Sequence, residues 1–322
     1  MSHSHKFCIA PMLDWTDTHC RYFMRLLSKK AFLYTEMVVT NAILKGCSDK
    51  LLKFNAKEQP LALQLGGSNP DDLAKCTQIA EKAGFNEVNL NVGCPSSRVQ
   101  MQEIGACLMH KPELVAQCLR VMKNSADIEI TIKHRIGLDD DKSYAKLRDF
   151  VGICSETGCK TFIVHARNAY LKGLSPKDNR SIPPLCYEYV YNLKQDFPML
   201  NIVINGGITN LDECKTHLNK VNGVMLGRAV YYHPYLLAQV DCDLFADNQT
   251  PTRYQVMQEL RSYLEQHLAG GGKVHQVTRH ILGLACGLPN ARKFRQLLSV
   301  EIHRDPYSLS VFDKAMSLLI DV

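Results

Sequence analysis

Two glycine sites late in the chain, Asn205-Gly206-Gly207 and Gly227-Arg228, combine unshielded backbone N–H groups with one guanidinium. That combination suits phosphate. One glycine pair alone is as well explained by a tight turn, but two sites on consecutive strand ends favour a phosphorylated ligand. Upstream, Lys133 and His165 close two short apolar runs, residues 130–133 and 162–165, in which alternation points both into the same interior space. A buried lysine without an anion is costly, so a bound anion or an electron-rich ring would be its partner. The competing reading pairs Lys133 with Asp139 and makes His165 a satisfied core histidine. The third feature is Asn91-Val92-Gly93-Cys94-Pro95-Ser96. Gly93 permits a sharp turn and Pro95 stops the chain from continuing as strand, so Cys94 is held out at the turn. An ordinary thiol, with a pKa of about 8.5, is mostly protonated at neutral pH and can give a proton to carbon.

These residues need a scaffold that gathers strand ends. Short apolar, β-branched runs recur at residues 7–10, 32–39, 61–65, 87–92, 129–136, 161–165, 201–205 and 223–226. Between them residues 70–83, 112–125, 144–157, 184–196 and 211–219 carry helical periodicity. Eight strands alternating with helices predict an α/β fold, a (β/α)8 TIM barrel, although a doubly wound sheet shares much of the pattern. The barrel is favoured because Pro11-Met12, Gly66-Gly67, Gly93-Cys94, His165 and Arg167, Gly206-Gly207 and Gly227-Arg228 all fall at C-terminal strand ends, where barrel active sites are built. Beyond residue 242 the strand signal stops. Helices are expected over residues 254–268, 274–284, 291–300 and 310–320, giving a barrel over 1–242, a linker near 243–251 and a small all-helical domain over 243–322.

Composition sets the class. The chain has 322 residues, 46% of them apolar and 22% charged, which suits an ordinary globular protein of one barrel plus a small domain. A net charge of +6 fits a polyanionic partner without requiring one. Thirteen scattered cysteines, an odd number, predict mostly buried thiols in a reducing cytoplasm. The polar N-terminus has no secretory apolar core, no run is long enough to span a membrane, and no metal site is called for.

Taken together and in order, Ala10-Pro11-Met12, Tyr34-Thr35-Glu36-Met37, Leu63-Gln64-Leu65-Gly66-Gly67, Asn89 to Ser96, Gly105-Ala106-Cys107-Leu108-Met109, Lys133-His134-Arg135-Ile136-Gly137, Val164-His165-Ala166-Arg167, Asn205-Gly206-Gly207 and Gly227-Arg228 resemble the tRNA-dihydrouridine synthases over nearly the whole chain. Residues 11–17 and 173–177 resemble the bacterial A subfamily, which modifies uridines 20 and 20a of the tRNA D-loop. The resemblance implies FMN across the barrel mouth, with Pro11, Met12 and Leu13 beneath its ring, Gln64 at its pyrimidine edge, and Lys133 and His165 nearby. Asn205, Gly206, Gly207, Gly227 and Arg228 would hold its phosphate. Cys94 matches the catalytic acid, while Asn91, Lys177, Arg180, Arg292 and Arg295 match positions that touch tRNA. The chain departs from the family pattern at Met101-Gln102-Glu103, where a glycine is usual, which bears on the loop after Cys94.

The chemistry implied is stepwise. The C5=C6 bond of uracil is conjugated to the C4 carbonyl, so C6 accepts hydride and C5 then takes a proton. NADPH would reduce the flavin, the flavin would reduce C6, and Cys94 would protonate C5, on a uridine turned out of its stack. A monomer is expected. The rival readings are an FMN barrel reductase acting on a free pyrimidine, which has no need of Arg292, Lys293 and Arg295 on an added helical domain, and a tRNA-binding protein without catalysis, which leaves Cys94, Lys133 and His165 unexplained.

Overall fold

The computed structural model describes residues 4–46, 48–141 and 143–320; the first three residues of the polar N-terminus and Cys47 lie outside them. Eight strands, β1 (Phe7–Ile9), β2 (Leu33–Val39), β3 (Leu61–Gly66), β4 (Glu87–Val92), β5 (Glu129–Arg135), β6 (Thr161–His165), β7 (Asn201–Asn205) and β8 (Gly223–Leu226), coincide with the expected runs to within a residue at either end. They pair in parallel in the order β1-β8-β7-β6-β5-β4-β3-β2. The ring closes where Ile9 N–H donates to Phe32 O and Phe32 N–H donates to Phe7 O, both at 2.9 Å. This is the TIM barrel, and it disposes of the open-sheet alternative.

Alternation along the strands separates two interiors. On β4, Val88, Leu90 and Val92 join the large core between strands and helices. Asn89 and Asn91 point inward, where their amides bond to Thr131 and Gln64 respectively. The rest of the barrel interior is filled by a second apolar cluster that includes Phe32, Tyr34, Ile163, Val203 and Met225. The outer helices Pro70–Lys82, Tyr144–Ser155 and Leu211–Leu218 each start at a side-chain cap, from Asn69, Ser143 and Asn210.

Two helical expectations change. The helix expected over residues 184–196 begins only at Tyr187, because Cys186 N–H is drawn to Ala166 O at 2.8 Å. The helix expected over residues 274–284 ends after Val274–Thr278, and the chain turns so that Arg279 and His280 both reach Asp17 on the barrel. Thr18–Leu27 is a further helix with Arg21 and Arg25 buried. Arg21 pairs with buried Glu58 at 2.6 Å, and Arg25 donates to the Glu58 and Pro60 carbonyls.

The helix Leu237–Phe245 runs past the expected linker start, and residues 246–252 form no regular element before the long helix Arg253–Ala269. The C-terminal helices pack on Thr18–Leu27: Tyr263 stacks on Tyr22 at 4.0 Å and its hydroxyl bonds His19 Nδ1 at 2.7 Å. The described cysteines are all free and most are buried. No described helix is long and apolar enough to cross a membrane.

Candidate active site

Strand register brings the chemistry-bearing residues to one end of the barrel. Lys133 stands beside Asn91 on β4 and Ile163 on β6, while His165 stands beside Arg135 and Asn205. Lys133 Nζ reaches across to Asn205 Oδ1 at 3.0 Å, not to Asp139, whose carboxylate accepts from Leu171 N–H at 2.9 Å. Asn205 donates in turn to Met225 O at 2.7 Å. Burial, reinforced by the Arg135 charge, lowers the Lys133 pKa to about 7. His165 is pushed well below the ordinary imidazole range by burial and by Arg135, Lys133, Arg167 and Arg228, and its buried Nδ1 has no hydrogen-bond partner.

Gly206 and Gly207 have φ of +117° and +75°. A side chain at Gly206 would lie 3.3 Å from the His165 ring, so glycine lets the backbone pass directly against it. Met12 belongs to the same region: its sulfur would lie 3.4 Å from a Cβ at Gly227. The loop bearing Pro11, Met12 and Leu13 is held by the Thr16 hydroxyl, which bonds both Met12 N–H (2.9 Å) and Met12 O (3.2 Å), and by Glu36, whose carboxylate accepts from Asp14 N–H. Leu13 is exposed. Arg228 donates to Arg180 O at 2.9 Å, so the end of β8 touches the loop after β6.

Cys94 is held from both sides. Asn91 Oδ1 accepts from Gly93 N–H at 3.1 Å and from Cys94 N–H at 3.0 Å, and Ala106 N–H donates to Cys94 O at 2.9 Å. A Cβ at Gly105, whose φ is +78°, would lie 2.6 Å from that same carbonyl. Asn91 is itself fixed by donating to Gln64 Oε1 at 2.8 Å, and Gln64 donates to Asn89 at 2.8 Å. Gln64 and Asn91 are therefore buried, with their amides engaged within the barrel. At the departure from the family pattern, Glu103 adopts φ +54°, the conformation a glycine would take without strain.

The electrostatics are one-sided. Lys133, Arg135, Arg167, Arg180 and Arg228 gather at this end, and among the described residues none forms an ion pair. Burial lowers Arg135 to about 10 and also lowers Arg167 and Arg180. With the Arg135 guanidinium taken up by backbone carbonyls, the other unpaired cations, an orphaned imidazole nitrogen and a glycine cradle fit a bound anion such as the phosphate and ring edge of a flavin nucleotide. The sequence places Arg167 at a strand end without giving it a role, and leaves Arg135 without one. Alternation from Lys133 would have found Arg135, since residues i and i+2 share a face.

Lys177 is exposed at the start of the turn Asp178–Arg180. Arg292 and Arg295 lie apart, exposed on the helix Ala291–Ser299, whose Phe294, Leu297 and Leu298 are buried. Neither arginine pairs with Glu301 or Asp305 among the described residues, and Lys293 is exposed beside them.

Comparison with known proteins agrees with this geometry. The family model described as Dihydrouridine synthase (Dus) matches residues 8–313. The tRNA-dihydrouridine(20/20a) synthase of Pseudomonas putida is 56% identical over 317 residues, covering 98% of this chain and 94% of that protein. The protein of that name from Vibrio parahaemolyticus is 52% identical over 319 residues, covering 98% of each. Among solved structures, morphinone reductase matches with a TM-score of 0.53 at 12% identity, over 76% of this chain and 87% of that one, a likeness of fold alone.

Proposed function

The chain belongs to the dihydrouridine synthase family, and on that premise we propose that it reduces the C5=C6 bond of uridine in the tRNA D-loop, at positions 20 and 20a, with FMN as bound cofactor and NADPH as reductant. The observation that carries the proposal is the barrel mouth itself, where a pinned cysteine lies within electrostatic reach of Lys133, Arg135 and Arg180 and, among the described residues, no carboxylate pairs with the cations. Asn205, Gly206, Gly207, Gly227 and Arg228 would hold the FMN phosphate. Pro11, Met12 and Leu13, with Lys133 and His165, would line the ring, and Gln64 would support its pyrimidine edge from below. Bound FMN supplies the hydride for C6.

Cys94 holds the proton that C5 requires, and Asn91 fixes the backbone that presents it. Lys177 and Arg180 beside the mouth, with Arg292 and Arg295 in a helical unit over residues 243–322, would bind tRNA phosphates. The protein would act as a monomer in the cytoplasm.

The test is direct. Purified protein should release FMN on acid precipitation and form dihydrouridine in unmodified tRNA with NADPH, but not in free uridine. Cys94→Ala should keep its flavin and NADPH oxidation while uridine reduction falls by about 10² to 10⁴-fold, the usual loss for a general acid. Reduction of free uridine as fast as of tRNA would replace this reading with that of a free-pyrimidine reductase. Wild-type turnover by Cys94→Ala would remove the thiol from the mechanism.

A further inference from the structure

Arg135 is almost fully buried, at 4% exposure, and has no anionic partner among the described residues. Its guanidinium instead donates to three backbone carbonyls in two loops. Nε bonds Gly93 O at 3.2 Å, in the loop after β4, while Nη1 bonds Asn168 O at 3.2 Å and Asn179 O at 3.0 Å, in the loop after β6. A charge buried on carbonyls alone is expensive, and a neutral side chain would fill a core position at lower cost. The geometry of what it grips explains its presence.

The Gly93 carbonyl and the Cys94 N–H belong to one peptide unit. Arg135 holds the oxygen of that unit and Asn91 holds its N–H, so the plane from which the Cys94 side chain departs is fixed at both ends. The other anchor is equally ordered. Asn179 is fully buried; its side-chain oxygen accepts from Tyr170 N–H at 2.7 Å, and its amide donates to Tyr170 O at 3.0 Å and Leu174 O at 3.3 Å. That ties together the loop carrying Lys177 and Arg180. A second brace runs parallel, since Gln100 Nε2 bonds Pro95 O at 2.7 Å and Leu171 O at 2.9 Å.

We propose that Arg135 is a positioning residue that clamps the Cys94 peptide to the loop bearing Lys177 and Arg180, so that RNA phosphate docking on that loop and presentation of the proton donor are a single mechanical event. The proposal rests on the reading of Cys94 as the acid.

The test compares Arg135→Lys and Arg135→Met in the full-length flavin-loaded protein. Lysine keeps the positive charge, but one ammonium cannot reach all three carbonyls with a planar fork. Both variants should lower kcat for tRNA uridine reduction by about 10- to 100-fold, as expected of a reacting group displaced by about an ångström. The KM for tRNA, flavin content and NADPH oxidation should stay near wild type. Without tRNA, alkylation of Cys94 by iodoacetamide, followed by peptide mass spectrometry against the exposed Cys242, should change several-fold in both variants. Gln100→Ala, which cuts the second brace, should move kcat and Cys94 alkylation the same way by less, and it decides the matter if the Arg135 variants do not fold.

A raised KM with unchanged kcat, restored by lysine, would overturn the proposal by making Arg135 a plain phosphate contact. Unchanged kcat and unchanged Cys94 alkylation in Arg135→Lys, or in Gln100→Ala if the Arg135 variants do not fold, would also overturn it. Full activity of Cys94→Ala is a separate result that strikes the reading of the acid, so the two failures are distinguishable.

Discussion

The barrel mouth and the seam between the barrel and the C-terminal helices are both rich in cations and histidines, yet they treat them in opposite ways. At the seam the charges around Asp17 are paired. Asp17 caps the helix Thr18–Leu27 through Cys20 N–H at 2.9 Å and takes Arg279 at 2.5 Å and His280 at 3.1 Å, while His280 also meets the Tyr231 hydroxyl at 3.1 Å and Trp15 stacks on Tyr231 at 4.2 Å. At the mouth Lys133, Arg167 and Arg228 have only carbonyls or amides for company, and among the described residues His165 Nδ1 has no hydrogen-bond partner. A structural region satisfies its own groups. A binding region leaves them wanting, and the ligand completes them.

The largest effect that can break this comparison is at Lys133. Lys133→Met should weaken FMN binding by about 10- to 100-fold, the value of a hydrogen bond from a charged group, while the melting temperature of the ligand-free protein holds or rises. Flavin titration and thermal melts of one preparation check both halves, and a lower melting temperature would make the mouth a structural ion site after all. Asp17→Ala should do the reverse. Losing the cap and the ion pairs costs about 2 kcal/mol in denaturant melts, with flavin affinity unchanged.

The two regions should also answer pH differently. Lys133 has a folded pKa of about 7 against an unfolded value of about 10.4, so the unfolded chain binds more protons between these limits. Stability of the ligand-free protein should therefore rise from about pH 7 to 10 through this group, and Lys133→Met should flatten that rise. At Asp17 burial alone would raise the pKa, but His280, Cys20 N–H and Arg279 together bring it down. The Asp17 contribution is then complete above about pH 4, the unfolded carboxyl range, and is lost as acid protonates the group.

Smaller effects sharpen the contrast. Arg292 and Arg295 are exposed and unpaired like the mouth cations but lie far along the chain in the helical region. The double change to alanine should reduce the salt dependence of tRNA binding by more than one log unit per log unit of salt, with stability altered by less than about 0.5 kcal/mol. An unaltered slope would assign both to solvent. Smallest of all, Glu103→Gly should stabilise the protein by less than about 1 kcal/mol by relieving a left-handed backbone. It tests whether the loop after Cys94 is strained as its φ of +54° implies.

Much of this was legible in the chain itself. Period-two runs ending in glycine, cysteine or histidine determined eight strands and the end of the barrel that carries the chemistry, because side-chain direction in a strand follows from local covalent geometry. The glycine turn at Gly206-Gly207, the turn holding Cys94 and the inward lysine followed from residue type and order. What remained hidden depends on partners distant in sequence. Nothing local joins Arg21 and Arg25 to Glu58 and to the Glu58 and Pro60 carbonyls that receive them. The helix begun at Val274 stops where Asp17, far away in the chain, draws in Arg279 and His280. Arg135 could be placed on the inner face by counting, but that it spans two loops and grips the Cys94 peptide was decided only when closure of the barrel brought those carbonyls within 3.2 Å. Local geometry sets which way a side chain points, and only the closed barrel sets what it meets.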